Sequence, residues 1–232
     1  MGALPTASEA WNEEYRRGRY AGEPPVAFVD DILAAAAREG ISSGLYVGCG
    51  NGRNLLPLVD GGLDVVGLDV SAEAVRQLAR RRPDRADRLR HGDLESLPVG
   101  RTWPLVIGIQ VFQHGNRDQA HRHIRAAQRR VEPGGLLCVR VNATGTDVWP
   151  AHEVIERGAD QGFSVRYTAG AKNGLDIHFF SEDELQQLFD GWQALLPIRA
   201  DRTERTPPAP GQWTQWEAIW RRPWPGVRVV PS

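Results

Sequence analysis

The spacing of apolar positions changes period repeatedly along this chain. Residues 45–47, 63–70, 105–109 and 136–141 are short apolar runs bounded by turn residues. Such runs, with little alternation, are what strands buried on both faces of a parallel sheet require. Between them the apolar positions recur at helical spacing, as over 71–82 and 117–131. The alternation predicts an α/β fold, a doubly wound, mostly parallel sheet covered by helices on both faces. Ser181, followed by Glu184 and then by Leu185, Leu188 and Phe189, is a capping box that starts a late helix. Arms at 193–206 and 212–221 flank the turn-rich Pro207-Pro208-Ala209-Pro210-Gly211, so the chain should finish as an antiparallel hairpin.

Two segments fall outside this alternation. Around residues 11–28, Trp11 and Tyr15 share a helical face and Tyr20 follows, which suits either a flap over a ligand or an amphipathic helix packed on the core. Residues 142–180 contain an alternating run at 163–167 and an apolar run at 175–180, with Gly170 and Asn173-Gly174 between, and read as an inserted hairpin. On α/β folds such additions sit where ligand specificity is built, outside the carboxyl ends of the strands. We therefore expect one domain over 1–232, with a helical cap segment at 1–40 and a substrate-side insertion at 142–180.

Composition narrows the class. At 232 residues the chain suffices for one such domain, which buries roughly 70–75% of its unfolded surface. A formal charge of -1 gives no electrostatic footprint for nucleic acid. The basic runs Arg80-Arg81-Arg82 and Arg129-Arg130 fall at helix ends, where cations favour the macrodipole. Cys49 and Cys138 have no CxxC or metal-ligand spacing, and no apolar run reaches transmembrane length, so a cytoplasmic protein is expected. The myristoylation-like start Met1-Gly2-Ala3-Leu4-Pro5-Thr6 and the acceptor triplet Asn142-Ala143-Thr144 are read as chance matches.

The chemistry concentrates after the first apolar run, in Val47-Gly48-Cys49-Gly50-Asn51-Gly52-Arg53-Asn54. Alternate glycines let the chain turn sharply after a strand and approach a ligand closely, with backbone N–H groups facing it. About 20 residues on, the second run closes on Asp69, where a carboxylate accepts hydrogen bonds from ribose hydroxyls. A dinucleotide fingerprint wants a third glycine at the position held by Arg53, and its absence turns the reading away from NAD.

The glycine turn, then Gly67-Leu68-Asp69-Val70-Ser71, then His91-Gly92-Asp93-Leu94, and later Val131-Glu132-Pro133-Gly134-Gly135 resemble, in order, the S-adenosylmethionine site of class I methyltransferases. The resemblance runs from about residue 44 to the C-terminus. It implies a seven-stranded Rossmann-like sheet, and S-adenosyl-L-methionine as cofactor with S-adenosyl-L-homocysteine as product. It implies that Gly48, Gly50 and Gly52 wrap the methionine part, that Asp69 holds the ribose, and that Asp93 and Leu94 meet the adenine; Val70 and Gln110 are further candidate cofactor contacts, and Tyr15 of the N-terminal segment is a candidate for securing the methionine end. Two positions depart from the family pattern: Tyr46 stands where an acid is usual, and Trp103-Pro104 replaces an Asp at the start of the fourth strand. Pro104 suits only a strand start.

Methyl transfer to a hydroxyl calls for a general base, and transfer to a thiolate does not. Candidate bases are His114, just past the fourth strand, and His178 in the inserted hairpin, with His152 a weaker third. His121 and His123 are expected on an exposed helix face. Trp11, Tyr20, Asn142 and His178 are the candidate contacts for a small-molecule acceptor, its reacting atom being oxygen, nitrogen, sulfur or carbon. The alternatives are a non-catalytic cofactor-binding scaffold and an NAD-dependent oxidoreductase. Oligomeric state has no signature in the sequence.

Overall fold

A computed structural model describes residues 6–18, 20 and 22–226. The Met1-Gly2 pattern thus lies outside the described residues. Helix α1 (Ala7–Arg16) opens with a capping box in which Thr6 accepts from Glu9 N–H and the Glu9 carboxylate accepts from Thr6 N–H. Helix α2 (Phe28–Arg38) follows, then β1 (Ser43–Val47), α3 (Leu55–Asp60), β2 (Asp64–Asp69), α4 (Ala72–Arg81), β3 (Leu89–His91), β4 (Trp103–Ile109), α5 (Arg117–Arg129) and β5 (Val131–Asn142). After an inserted sheet, α6 (Glu182–Leu188), β9 (Gln193–Glu204) and β10 (Gln212–Arg221) complete the chain.

The main sheet has the order β3-β2-β1-β4-β5-β10-β9, parallel from β3 to β5, with β10 antiparallel to both of its neighbours. This is the expected doubly wound sheet with an antiparallel finish. Both faces are covered. Leu45, Val106, Leu137 and Val139 pack with Ala120, Ile124 and Ala127 of α5 and with Trp220, whereas Tyr46, Leu105, Ile107 and Cys138 pack with Phe28, Val29 and Ile32 of α2 and Leu55 and Leu58 of α3. The strand order reverses between β1 and β4, and the crevice outside their carboxyl ends is where such sheets bind ligands.

Two local features differ from the sequence reading. Strand β5 starts at Val131 rather than 136, because Trp103 pairs with Val131 across a register shift at Pro104. That places Pro104 at the start of its strand, where its missing N–H costs least. The insertion is a three-stranded antiparallel sheet, β6 (His152–Arg157), β7 (Phe163–Tyr167) and β8 (Asp176–Phe179), instead of a hairpin alone. Strand β6 escaped notice because it is exposed along nearly its whole length and carries no buried apolar alternation. Bridges His114↔Ile177 and Ala143↔Phe180 tie this sheet to the loop after β4 and to the end of β5.

Helix α1 docks on the first turn of α4. The Ser8 hydroxyl donates to the Val70 carbonyl (2.8 Å), the Asn12 side-chain oxygen accepts from Ser71 Oγ (2.9 Å) and Glu73 N–H (3.0 Å), and Gln77 donates to the Tyr15 carbonyl (2.9 Å). Asn12 thus satisfies one of the orphan donors of α4, beside the cap made by Ser71. No helix among the described residues is long and apolar enough to cross a membrane.

Candidate active site

The glycine turn after β1 has backbone that only glycine adopts without strain, with φ of 70° at Gly48, 55° at Gly50 and 94° at Gly52. Space is equally restrictive. A Cβ on Gly48 would lie 2.6 Å from Val111, and one on Gly50 would collide with the Tyr15 hydroxyl. Asp69 at the end of β2 braces the turn, accepting from Gly50 N–H (2.7 Å) through one oxygen and from Ser71 N–H (2.8 Å) through the other. Burial pushes its carboxyl up from the ordinary range, and those two N–H groups oppose the shift.

The turn floors a cleft of about 690 Å³ including its mouth, within the range of small-molecule sites. Gly48, Cys49, Gly50, Asn51, Asp69 and Val70 form one side, and Ile109, Gln110, Val111 and His114 the other. Gln110, at φ 58°, holds a left-handed conformation uncommon for a non-glycine residue, and its N–H donates to the Arg140 carbonyl (2.7 Å). Trp11, Tyr15 and Tyr20 close the cleft from the N-terminal segment. Trp11 meets the His114 ring edge-to-face at 5.2 Å, and the Tyr15 ring lies 6.1 Å from Tyr20. Burial raises the Tyr15 phenol, with Asp69 adding to the effect, so the phenol keeps its proton as a hydrogen-bond donor.

Tyr46 belongs to the floor of this cleft and is buried. Burial raises its phenol, and a hydrogen bond from Asn54 works against the shift. Asn54 in turn accepts from Val26 N–H (3.0 Å), so the residue replacing the usual acid is stitched to the α3 entry and to the segment before α2. Arg53 also lines the cleft, its guanidinium held by Glu23 at 2.9 Å and by the Pro24 carbonyl at 2.6 Å. Arg53 and Asn54 were not foreseen as lining residues. Their only signal was their place immediately after the turn.

His114 faces the cleft. Burial pushes its imidazole down to about 3, with the nearby charges of Lys172 and His123 adding to the shift, while its ring N–H bonds the Gln110 carbonyl. The ring is therefore neutral at physiological pH, with one nitrogen free to accept.

Other expected site residues lie elsewhere. Asp93 is exposed and closes a turn, accepting from Glu95 N–H and Ser96 N–H at 3.0 Å each, and Leu94 is buried in the α5-side core, so neither lines the cleft. Asn142 is buried with its side-chain oxygen taken by Trp213 (3.1 Å) and Gln215 (3.3 Å). His178 is wholly buried away from the cleft, with Ser164 on one ring nitrogen (2.9 Å) and the Glu184 carboxylate on the other (3.0 Å), so a substrate cannot reach it. His152 is exposed, with the Pro150 carbonyl 3.0 Å from its ring. His121, expected on an exposed face, instead joins the Glu184 cluster.

The cleft suits an adenosyl sulfonium cofactor: a turn that side chains would fill, a braced carboxylate at a strand end and an aromatic cover. The comparisons agree. Residues 45–135 match the sequence family described as a methyltransferase domain. These residues form a methyltransferase domain like that of the class I S-adenosylmethionine-dependent enzymes. The dTDP-3-amino-3,4,6-trideoxy-alpha-D-glucopyranose N,N-dimethyltransferase of Streptomyces venezuelae is 25% identical over 175 residues, 72% of each chain. The fold matches that of the Burkholderia thailandensis 1,6-didemethyltoxoflavin-N1-methyltransferase, solved with S-adenosylhomocysteine (TM-score 0.64, 17% identity, 96% of this chain and 93% of that one). It also matches a sugar N-methyltransferase from a Streptoalloteichus species (TM-score 0.59, 18% identity, 96% of each chain).

Within this methyltransferase the turn offers a first test. Gly50→Ala adds a Cβ where the Tyr15 hydroxyl sits and puts alanine at positive φ, a strain of about 1–2 kcal/mol before any clash. The variant is expected to lose cofactor affinity about tenfold or more, and pairing it with Tyr15→Ala, which removes the clash but not the strain, should recover part of it. Isothermal titration with S-adenosylhomocysteine reads both, and equal affinity in Gly50→Ala and the unmodified chain would show that the turn and α1 are not in contact in solution.

Proposed function

We propose that this methyltransferase acts on a nitrogen of a small-molecule amine. When bound, S-adenosylmethionine supplies a methyl on a positively charged sulfur, open to in-line displacement by a nucleophile. The Gly48, Gly50 and Gly52 backbone and Tyr15 would take the methionine part and Asp69 the ribose hydroxyls, its buried carboxylate being the acceptor-rich group that two hydroxyls need. Gln110 and Val70 would border the adenosyl part. Trp11, Tyr20 and His114 then surround the acceptor.

The observation that carries the choice of nitrogen is the neutral His114 imidazole. Held at about 3 by burial, it is too weak a base to remove a proton from a hydroxyl. As a neutral acceptor it suits another task, holding one N–H of an unprotonated amine so that the nitrogen lone pair points at the methyl. Near-attack orientation of this kind accounts for up to about 7–11 kcal/mol of a bimolecular barrier. The relatives named for N-methylation, of an amino sugar, of a sugar and of 1,6-didemethyltoxoflavin, support the same assignment.

A panel of amino sugars and heterocyclic amines, each paired with its hydroxyl isostere, tests this by mass spectrometry after incubation with S-adenosylmethionine. The expected result is a methyl mass gain on amines and none on the isosteres. Methylation of the hydroxyl partners at comparable rates would overturn the choice of nitrogen.

A further inference from the structure

Outside the cleft, one cluster has no place in methyl transfer. Glu184, on the first turn of α6, is 1% exposed, and its Oε1 is approached by three nitrogens: His121 Nε2 at 2.5 Å, His178 Nε2 at 3.0 Å and Arg117 Nε at 3.0 Å. The residues come from α5, β8 and α6, and they sit where the inserted sheet meets the main domain. His178 Nε2 also lies 3.1 Å from Oε2, which accepts from Ser181 N–H at 3.3 Å, so both carboxylate oxygens face this cluster.

The tautomer of His178 decides what this contact can be. Ser164 Oγ has one proton, and it lies 3.2 Å from the Glu156 carboxylate, which can only accept. With that proton donated to Glu156, Ser164 Oγ accepts from His178 Nδ1–H at 2.9 Å. A neutral His178 then turns the lone pair of Nε2 toward the Glu184 carboxylate. Two lone pairs 3.0 Å apart need a proton or a cation between them.

The surroundings are acidic. Asp160 is paired with Arg117, and Glu156 accepts from Arg117 N–H at 3.3 Å as well as from Ser164. Three carboxylates, those of Glu156, Asp160 and Glu184, thus gather around the one arginine.

We propose that His121, His178 and Glu184 bind one divalent metal ion of the zinc type, fastening the inserted sheet to α5 and α6. One metal–oxygen bond and one Arg117 N–H then fill the two lone-pair sites of Oε1, and the ion takes the Nε2 lone pairs of both histidines. The three ligand atoms lie within 4.8 Å of one another. Zinc–nitrogen and zinc–oxygen bonds of about 2.0–2.2 Å place tetrahedral ligand atoms ~3.3 Å apart, so modest side-chain adjustments open the site. Ser164 is the outer partner that orients a metal-bound histidine. His121 is a quarter exposed, which gives the ion a way in and leaves a coordination position open to water.

The test uses the tag-free full chain, stripped with a chelator and titrated with Co²⁺ and then Zn²⁺. The expected result is one equivalent of Co²⁺ with the absorption bands of a four-coordinate ion, displaced by Zn²⁺, and affinity lowered about tenfold or more in both His121→Ala and Glu184→Gln. Gln keeps the capping box of α6, and S-adenosylhomocysteine binding verifies that each variant is folded. As a second measurement on the unmodified chain, ¹⁵N spectra should show Zn²⁺ shifting the Nε2 resonances of two histidines. Absence of stoichiometric binding by the unmodified chain, unshifted histidine resonances, or undiminished affinity in the folded variants would each overturn the proposal and leave the cluster as a protonated ion-pair network.

Discussion

Asp69→Ala is expected to weaken S-adenosylhomocysteine binding about 100-fold while lowering stability by about 2–4 kcal/mol. The first figure follows from losing two hydrogen bonds between ribose hydroxyls and a carboxylate, at ~1.5 kcal/mol each. The second follows from stranding Gly50 N–H and Ser71 N–H, which the carboxylate accepts at 2.7 and 2.8 Å, each buried donor costing ~1–2 kcal/mol. Asp69→Asn separates the two effects. Its single side-chain oxygen can still accept one of those N–H groups, so it should recover part of the stability while binding remains weak, because an amide cannot serve both backbone donors and both hydroxyls. Calorimetry and thermal unfolding on the same samples decide it. Cofactor affinity that tracks stability across both variants would make Asp69 a turn brace alone.

His114→Ala is expected to lower kcat about 10²-fold or more and to leave S-adenosylhomocysteine affinity within about threefold, since the ring is assigned to the acceptor. The pH profile carries an independent signature. A histidine held at about 3 has no charge change between pH 5 and 9, so it contributes no inflection there. The rate should instead rise with pH as the acceptor amine loses its proton, levelling off above that amine's own pKa. His114→Ala should keep this rising limb at a lower plateau. A second inflection near 6.5 in the unmodified enzyme, absent from the variant, would mean that His114 titrates as an ordinary base.

The parts of this molecule that were legible in the sequence are those set by local rules. Gly48, Gly50 and Gly52 announce positive φ, Asp69 follows at the spacing of one βαβ step, and the Ser181 and Glu184 capping box forms as read. The aromatic cover was half legible, because helical spacing put Trp11 and Tyr15 on one face but could not say which surface they met. The rest depends on tertiary contact. His121 and His178 look unrelated along the chain, and only the meeting of α5, β8 and α6 in space brings both to Glu184. Asn12 gave no signal, since its role is to cap a helix from another element. Strand β6 was missed because an exposed edge strand lacks the apolar alternation that marks a half-buried one. Asp93 shows the converse: its motif is in order, yet its Oδ1 accepts from the turn that follows β3.

The central claim is that the methyl group is presented between the glycine turn and the aromatic cover, facing His114. The most direct test is the set of nuclear Overhauser contacts made by S-adenosylmethionine carrying a ¹³C-labelled methyl, bound to the full chain. The account predicts contacts from the methyl to the rings of His114 and of Trp11 or Tyr15. Contacts to His178 in their place, or none to any of these three cleft residues, would contradict it.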